Sequence, residues 1–421
     1  MKVLIITYYW PPAGGSGVQR WLKFVKYLQE FGIEPVVYTV DNVTYPKEDN
    51  TLLNEVPKNI TVLKQPIWEP TDLLFWKKDK PQKSGISNVS KSGLLSFVRG
   101  NFFIPDPKIF WVKPSVKYLQ EYLDSNKVDT IISTGPPHSM HLIAKKLHQK
   151  NNIKWIADFR DPWSDLYYNK DFNQLSFAKN KNKKLEQEVL KIADSVLTVS
   201  NSLKEEFSKT ANRVEVITNG FDDEVITENS IIKDAKFTIS YIGLLPKQSN
   251  PRVLFNVLKD LCSKNEDFKN DLKLNFIGDI SDEVKTEISK NKLNENTNFV
   301  GYVNHREAVE YQKKAQVLLL LIPNIEKSKG ILTGKLFEYL TAKRPILAIG
   351  PEEGDLSEIL KETNAGVIVG FDNEEKLSSE ILKLYDLYKE GNLKVNSKNT
   401  EKFHRKQLTK KLAIIIKSLH S

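Results

Sequence analysis

Lys335 and Glu338 stand three residues apart in Thr333-Gly334-Lys335-Leu336-Phe337-Glu338-Tyr339-Leu340, after an apolar run at 317–322 and a loop at 323–332. The segment reads as the opening of a helix with Thr333 as its N-cap. Leu336, Phe337 and Leu340 then share a face that can pack on a sheet, while Lys335 and Glu338 fall elsewhere. Unpaired N–H groups at a helix start attract phosphate. A lysine beside them adds a point charge, and a carboxylate one turn on can accept two hydrogen bonds from a ribose diol. The spacing predicts a nucleotide-diphosphate site; it also suits an ordinary capped helix with a solvated lysine–glutamate pair.

Two more groups of residues have chemical potential. Tyr9-Trp10-Pro11-Pro12-Ala13-Gly14-Gly15-Ser16-Gly17 follows an apolar strand and precedes a helix. Its glycines let backbone approach a ligand, and the helix start favours anions. The dinucleotide fingerprint is incomplete, because Gly15-x-Gly17-x-x-Arg20 lacks the third glycine, although Asp41 ends the next strand. An NAD-dependent dehydrogenase has no other support. His138 and Asp158-Phe159-Arg160-Asp161 also follow apolar strands. Asp158 and Asp161 either orient a substrate or pair with Arg160 and cap the following turn, and His138 either meets substrate or caps its helix.

The elements that position these residues alternate. Strands at 2–8, 35–40, 60–65, 129–133, 154–157, 195–199 and 214–217 are interleaved with helices at 18–31, 112–123, 140–149, 185–192 and 203–207. The alternation breaks at Asn219-Gly220-Phe221-Asp222-Asp223 and restarts at 237, with strands at 237–242, 273–277, 298–300, 317–322, 345–349 and 366–369. That pattern is α/β, two doubly wound parallel sheets, in which ligands gather at the carboxyl ends of strands. We expect one domain over 1–225, a second over 226–400, and a last helix within 403–421 that packs back on the first.

A chain of 421 residues exceeds what one core usually supports. Its single cysteine, Cys262, allows no intrachain disulfide. The apolar run after Met1-Lys2 is short for a signal peptide and no run is long enough to span a bilayer, so a cytoplasmic protein is expected. Of the net charge of +9, residues 76–117 carry +7, from nine basic against two acidic residues. Leu94, Phe97, Phe102, Phe103, Phe110 and Trp111 lie among them. This mixture suits an anionic membrane surface at the inner leaflet, or a loop packed on its own domain. No nucleic-acid motif accompanies it.

Several motifs together resemble those of the retaining GT-B glycosyltransferases of family 4. They are Pro11-Pro12-x-Gly14-Gly15-x-Gly17, Asn219-Gly220-Phe221-Asp222, Tyr241-Ile242-Gly243, Phe276-Ile277-Gly278, Val300-Gly301-Tyr302, and Gly334-Lys335-Leu336-Phe337-Glu338 with Arg344-Pro345. Asp158-Phe159-Arg160-Asp161-Pro162-Trp163 resembles a subgroup found in bacterial surface-polysaccharide gene clusters. The resemblance implies two Rossmann-like domains facing across a cleft. It also implies sugar transfer with retention from a nucleotide-diphosphate sugar to a glycan or polyprenyl-linked acceptor, without a metal cofactor.

By position, His138, Asp158 and Glu338 are the expected catalytic residues, with Glu338 on the donor ribose and His138 near the transferred sugar. Gly14, Gly15, Gly17, Gly243, Lys247, Arg252, Gly334 and Lys335 are the expected donor-binding residues, and Arg160 and Asp161 lie on the acceptor side. Three positions depart from the pattern. Gly330 stands where the family has a second glutamate, with Glu326 four residues upstream as a stand-in. Leu244 and Ser249 stand where a basic pair is usual, leaving Lys247, Arg252 and Lys335 to supply charge. A nucleotide-sugar epimerase and a non-catalytic sugar-nucleotide-binding subunit share this architecture and are the competing readings.

Overall fold

Strands such as Val3-Leu4-Ile5-Ile6 and Val317-Leu318-Leu319-Leu320-Leu321 carry no polar alternation, so both of their faces must be covered. The computed structural model, which describes residues 1–45, 47–68, 94–164, 174–222 and 232–421, covers them with helices on both sides of two parallel sheets. The chain divides into two units: Met1–Thr218 with Arg405–Ser421, and Asn219–His404. The expectation placed this division at 225. Asp223 and residues 76–93 of the expected basic region lie outside the described residues.

In chain order the first unit contains β1 (Lys2–Ile6), α1 (Ser16–Leu28), β2 (Glu34–Asp41), β3 (Thr61–Pro66), α2 (Leu94–Phe102), α3 (Ile109–Ser125), β4 (Thr130–Gly135) and α4 (Ser139–Asn151). It continues with β5 (Lys154–Phe159), α5 (Ser176–Ile192), β6 (Ser195–Thr198), α6 (Asn201–Phe207) and β7 (Val214–Val216). The described strands run in the order β3-β2-β1-β4-β5-β6-β7, all parallel. The direction of winding reverses between β1 and β4, and the ends of those strands bracket the glycine turn and His138. Val18, Trp21, Leu22, Val25 and Leu28 of α1 are buried against the sheet, as their helical spacing predicts.

The second unit contains β8 (Phe237–Ile242), α7 (Arg252–Lys264), α8 (Glu266–Asp271), β9 (Leu272–Ile277), α9 (Asp282–Lys290), β10 (Thr297–Gly301), α10 (His305–Lys314) and β11 (Val317–Leu321). After these come α11 (Gly334–Ala342), β12 (Ile346–Ile349), α12 (Asp355–Thr363), β13 (Gly366–Val369) and α13 (Glu374–Lys389), and α14 (Arg405–Lys417) returns to the first unit. The sheet order is β10-β9-β8-β11-β12-β13. Alternate residues of each strand feed separate cores. Leu319 and Leu321 pack with Leu254 and Leu258 of α7 and Leu377 and Ile381 of α13. Leu318 and Leu320 pack with Leu336, Phe337 and Leu340 of α11. Leu408, Leu412 and Ile416 of α14 join the first unit's core, and Arg405 donates to Gln19 of α1 at 3.2 Å.

Several elements differ from expectation, and α2 lies where no helix was expected. The helix expected at 185–192 begins at Ser176 because its early buried face is Ala178, Asn182 and Glu186, which form no apolar stripe. In the basic–aromatic region, Ile104 and Trp111 are core residues, while Phe102 and Phe110 are exposed. The self-packed reading therefore holds for the first pair.

Three neighbouring strands, β8, β9 and β10, reach Gly243, Gly278 and Gly301 with φ of +115°, +116° and +80°. A Cβ on Gly278 would stand 2.6 Å from the Gly243 carbonyl oxygen, whereas one on Gly301 would meet nothing within 4 Å. Left-handed strain alone costs roughly 1–2 kcal/mol. Gly301→Ala should therefore lose about that much stability, and Gly278→Ala roughly 1–3 kcal/mol more, since backbone must move. Equal losses in urea titrations would show that the close backbone approach at Gly278 imposes no constraint.

Candidate functional site

In the first unit, Asp158 is the next-to-last residue of β5 and is wholly buried. Its carboxylate accepts from Arg20 Nη2 at 3.0 Å, Arg20 Nε at 3.3 Å, Trp21 Nε1 at 2.7 Å and Thr134 Oγ1 at 2.9 Å. Burial alone would raise its pKa, but the Arg20 charge and these bonds hold it below the ordinary carboxylate value. The expectation that Asp158 stands among the catalytic residues is corrected: its acceptor capacity is spent inside the fold, and its ion pair is with Arg20, not Arg160. Arg20 also donates to the carbonyls of Ile217 and Thr218, where the chain leaves this unit.

Arg160, the next polar position, lies on the surface side of the same strand end. Its guanidinium donates to the carbonyls of Gly17 at 2.8 Å, Gly135 at 3.1 Å and Pro136 at 2.7 Å. A Cβ on Gly17 would approach Arg160 Nη1 to 3.1 Å, so this glycine permits the contact. Gly14 donates to the Lys47 carbonyl at 2.9 Å, and Gly15 caps α1 with φ +94° and no side-chain cap. Arg160 thus joins the glycine turn to the β4 loop and brings a cation to it. Asp161 is exposed to solvent.

His138 is buried, with its ring flat on Trp163 at 4.9 Å and 6°. Both of its ring nitrogens are buried without a hydrogen-bond partner. It does not cap α4 with its side chain. Asp106 does so instead, accepting from Ser139 N at 2.9 Å and Ser139 Oγ at 2.8 Å. That helix start is therefore occupied by the protein's own carboxylate. Asn182 accepts from Trp163 Nε1, and Glu186 accepts from the Trp163 backbone N–H. Sequence reasoning missed this support because it comes from the lysine-rich start of α5.

In the second unit, β8 and β11 pair only at Val317–Ile239 and Leu318–Ser240. Beyond that point, the Ile242 N–H is satisfied by the Tyr339 hydroxyl of α11 at 3.1 Å. Lys335 lies against this strand end: its Nζ donates to the Tyr241 hydroxyl and sits 4.0 Å from the Tyr241 ring centroid. A Cβ on Gly243 would come 2.7 Å from Lys335 Cε, so the glycine makes room for the lysine. Burial lowers the Lys335 pKa to about 8, with the nearby Glu338 opposing. Glu338, half-buried one turn further along, accepts from Gln312 Nε2 of α10 at 3.3 Å.

Helix α11 begins at Gly334 as expected, but the Thr333 hydroxyl makes no capping bond and is buried without a partner. The first-turn N–H groups are therefore not taken by this side chain, which fits an anion docking there. Lys247 and Arg252 line a separate cavity of about 290 Å³ with Asn324, Ile322 and Phe371, and Arg252 Nε is 3.7 Å from Glu287. Glu326 is exposed in the loop before the short turn Ser328–Gly330. Tyr241, Tyr339 and Gln312 had no sequence signal of their own; strand and helix periodicity account for them as ordinary packing residues.

A family model described as Glycosyltransferase Family 4 matches residues 15–225, half of the chain, and one described as Glycosyl transferases group 1 matches residues 222–402. Comparison with curated protein sequences finds no match. Among solved structures, the chain is similar to the sucrose-phosphate synthase of Thermosynechococcus elongatus, with 12% identity, a TM-score of 0.62, and coverage of 100% of this chain and 99% of that one. It is similar to the lipopolysaccharide outer core galactosyltransferase WaaB, with 15% identity, a TM-score of 0.58, and coverage of 99% and 100%. The UDP-GlcNAc 2-epimerase of Methanocaldococcus jannaschii matches at 15% identity and a TM-score of 0.55, with coverage of 99% and 100%. The fold these define is GT-B. The chain belongs to glycosyltransferase family 4.

The Asp158 network makes a stability prediction. Arg20→Leu would leave a buried carboxylate without its charge partner, which costs roughly 3–5 kcal/mol in unfolding experiments. Because the folded carboxyl is held below its ordinary value, the wild-type contribution persists through neutral and mildly acidic pH and is lost as pH falls through the folded pKa. A loss under ~1 kcal/mol at pH 7 would contradict the ion pair.

Proposed function

We propose that this protein is a retaining glycosyltransferase that moves a sugar from a nucleotide-diphosphate donor to a glycan or polyprenyl-linked acceptor of a cell-surface polysaccharide. The observation that carries the reading is Lys335, seated on Tyr241 beside Gly243, with Glu338 one turn on and the helix start uncapped by Thr333.

In this reading the first-turn N–H groups of α11, from Gly334 onward, and the Lys335 ammonium take the diphosphate. The Glu338 carboxylate takes the ribose diol, oriented by Gln312. Lys247 and Arg252 supply further positive charge from their cavity, and Glu326 stands in for the glutamate absent at Gly330. The bond between the anomeric carbon and the diphosphate oxygen breaks while the acceptor hydroxyl bonds to the same face of that carbon. The hydroxyl proton passes to the departing diphosphate. Fixed donors aimed at the growing phosphate charge stabilise the transition state, so no metal ion is needed for that task. Gly14, Gly15 and Gly17 serve the donor, His138 the transferred sugar, and Arg160 and Asp161 the acceptor side.

A protonated Lys335 is required for diphosphate binding, and its amine titrates near 8. Affinity for UDP or GDP should fall as pH rises from 7 to 9.5, and Lys335→Met should bind weakly with no such slope. Glu338→Ala should weaken nucleoside-diphosphate binding by about tenfold, the worth of one or two hydrogen bonds. A thermal-shift screen across nucleotide sugars identifies the base and the sugar. Unchanged affinity in both variants would overturn the site. Epimer formation from a UDP-sugar without acceptor would favour the epimerase reading, and binding without turnover the non-catalytic one.

The acceptor is presented at the inner face of the cell membrane, with peripheral contact through exposed Phe102 and Phe110 beside Arg99, Lys113 and Lys117. Co-sedimentation with anionic vesicles should be lost in Lys113→Glu/Lys117→Glu with Phe110→Ser. Retention by that variant at wild-type level would remove the membrane contact from the proposal.

A further inference from the structure

Lys108 stands at the N-cap of α3, and Phe110 and Trp111 lie in its first turn. Residues three apart on a helix share a side. Lys108 and Trp111 accordingly both meet Tyr8: the Lys108 ammonium is 4.4 Å from the Tyr8 ring centroid, and the Trp111 ring meets it edge-on at 6.3 Å. Phe110 turns outward and is 41% exposed. There it meets Trp68, 53% exposed, edge-on at 5.5 Å, and Phe103 at 5.6 Å. A single exposed aromatic is ordinary, whereas several in ring contact mark an interaction surface. Phe102 belongs elsewhere, since its ring lies 6.1 Å from Phe177 at the start of α5.

Trp68 follows the carboxyl end of β3, Tyr45 that of β2 and Tyr8 that of β1, and these strands are neighbours. The Tyr45 hydroxyl donates to the Tyr8 carbonyl at 3.2 Å, which ties the exit of β2 to that of β1. The rings therefore lie along the end of the sheet where ligands of such folds gather. Cations border the turn after β1. Besides Lys108 on Tyr8, the Lys47 stem lies along Gly14, where a Cβ would meet its Cγ at 3.3 Å, and Arg160 donates to the Gly17 carbonyl. Asp106, the acid nearest Lys108 in sequence, is committed to the start of α4. A ligand that fits is anionic at one end and hydrocarbon at the other. A glycan needs partners for its hydroxyls, which Phe103, Phe110 and their chain neighbours Ile104, Pro105 and Ile109 lack.

We propose that this edge of the first unit seats a polyprenyl phosphate or diphosphate. Lys108 and Lys47 take the phosphate oxygens beside the glycine turn, and Trp68, Phe110 and Phe103 cover the first isoprene units. The acceptor is then lipid-linked and not a free glycan. The inference rests on the transferase reading in calling the ligand an acceptor; the binding itself does not depend on it.

The test is isothermal titration of the full chain carrying Lys335→Met, which takes the second unit's lysine out of competition for diphosphate. The probes are farnesyl diphosphate, inorganic pyrophosphate and farnesol. Farnesyl diphosphate should bind about tenfold or more tightly than either fragment. Trp68→Ser with Phe110→Ser should bring its affinity down to that of pyrophosphate and leave pyrophosphate unchanged. Lys108→Met should weaken farnesyl diphosphate roughly tenfold, and Lys108→Arg should retain it. Should Lys108→Met not fold, Lys47→Met serves in its place with a loss in the same direction. Pyrophosphate matching farnesyl diphosphate would mean an anion site only, and farnesol matching it an apolar surface only. Either result overturns the seat, as does an affinity that the ring variants leave intact. Binding to anionic vesicles without binding of monomeric farnesyl diphosphate also overturns it and assigns the rings to the bilayer. Farnesyl diphosphate binding by a chain that turns over no nucleotide sugar would sink the transferase reading and leave the seat standing. Turnover onto a free glycan with no such binding would do the reverse.

Discussion

A carboxylate at the end of β5 organises the first unit. Asp158 takes two bonds from Arg20, one from Trp21 and one from Thr134, and so fixes α1 against the carboxyl ends of β4 and β5. Desolvating such a charge is repaid only when nearly every lone pair finds a donor. That requirement explains why α1 presents arginine and tryptophan in succession toward one buried point. The glycine turn precedes this helix, so its placement depends on the same pair. Arg20 also holds the carbonyls of Ile217 and Thr218, which ties the site to the chain's exit from the unit.

Helix starts in the two units divide by what their N–H groups face. The start of α4 is closed by Asp106, a carboxylate from the segment before α3. Those of α1 and α11 have no side-chain cap. An incoming anion would have to displace Asp106 from α4, at the expense of bonds to Ser139 and Lys108. It meets no such competitor from Gly15 or Thr333. The sequence distance between Asp106 and Ser139 hid this distinction, since nothing local to Pro136-Pro137-His138 shows which acceptor will arrive.

Much of the architecture was legible because parallel strands buried on both faces must be continuously apolar, and those of 3–6 and 317–321 are. The helix at Gly334 was legible from Leu336, Phe337 and Leu340, which pack as their spacing requires. Partnerships were not legible. Asp158 sits two residues from Arg160 yet pairs with Arg20, far away in sequence, because Arg160 points to carbonyls of the turns at Gly17, Gly135 and Pro136. Thr333 has the residue type and position of a cap, but its hydroxyl makes no capping bond. The first half of α5 escaped notice because Asn182 and Glu186 are buried for hydrogen bonding to Trp163, outside the reach of any hydrophobic pattern.

The departures at Leu244 and Ser249 shift the burden of positive charge in the second unit. Leu244 is exposed and neutral, Lys247 and Arg252 line a cavity of their own, and Lys335 lies folded onto Tyr241. An arginine would remain charged whatever its surroundings. A lysine in a partly buried seat, its pKa lowered by burial to about 8, begins to lose its charge above neutral pH. Gly243 is what makes that seat deep enough, since any side chain there would strike the lysine stem. The positive charge at this strand end is thus conditional on pH. The glycine at 243, the short β8–β11 pairing and the tyrosines at 241 and 339 are the structural terms of that condition.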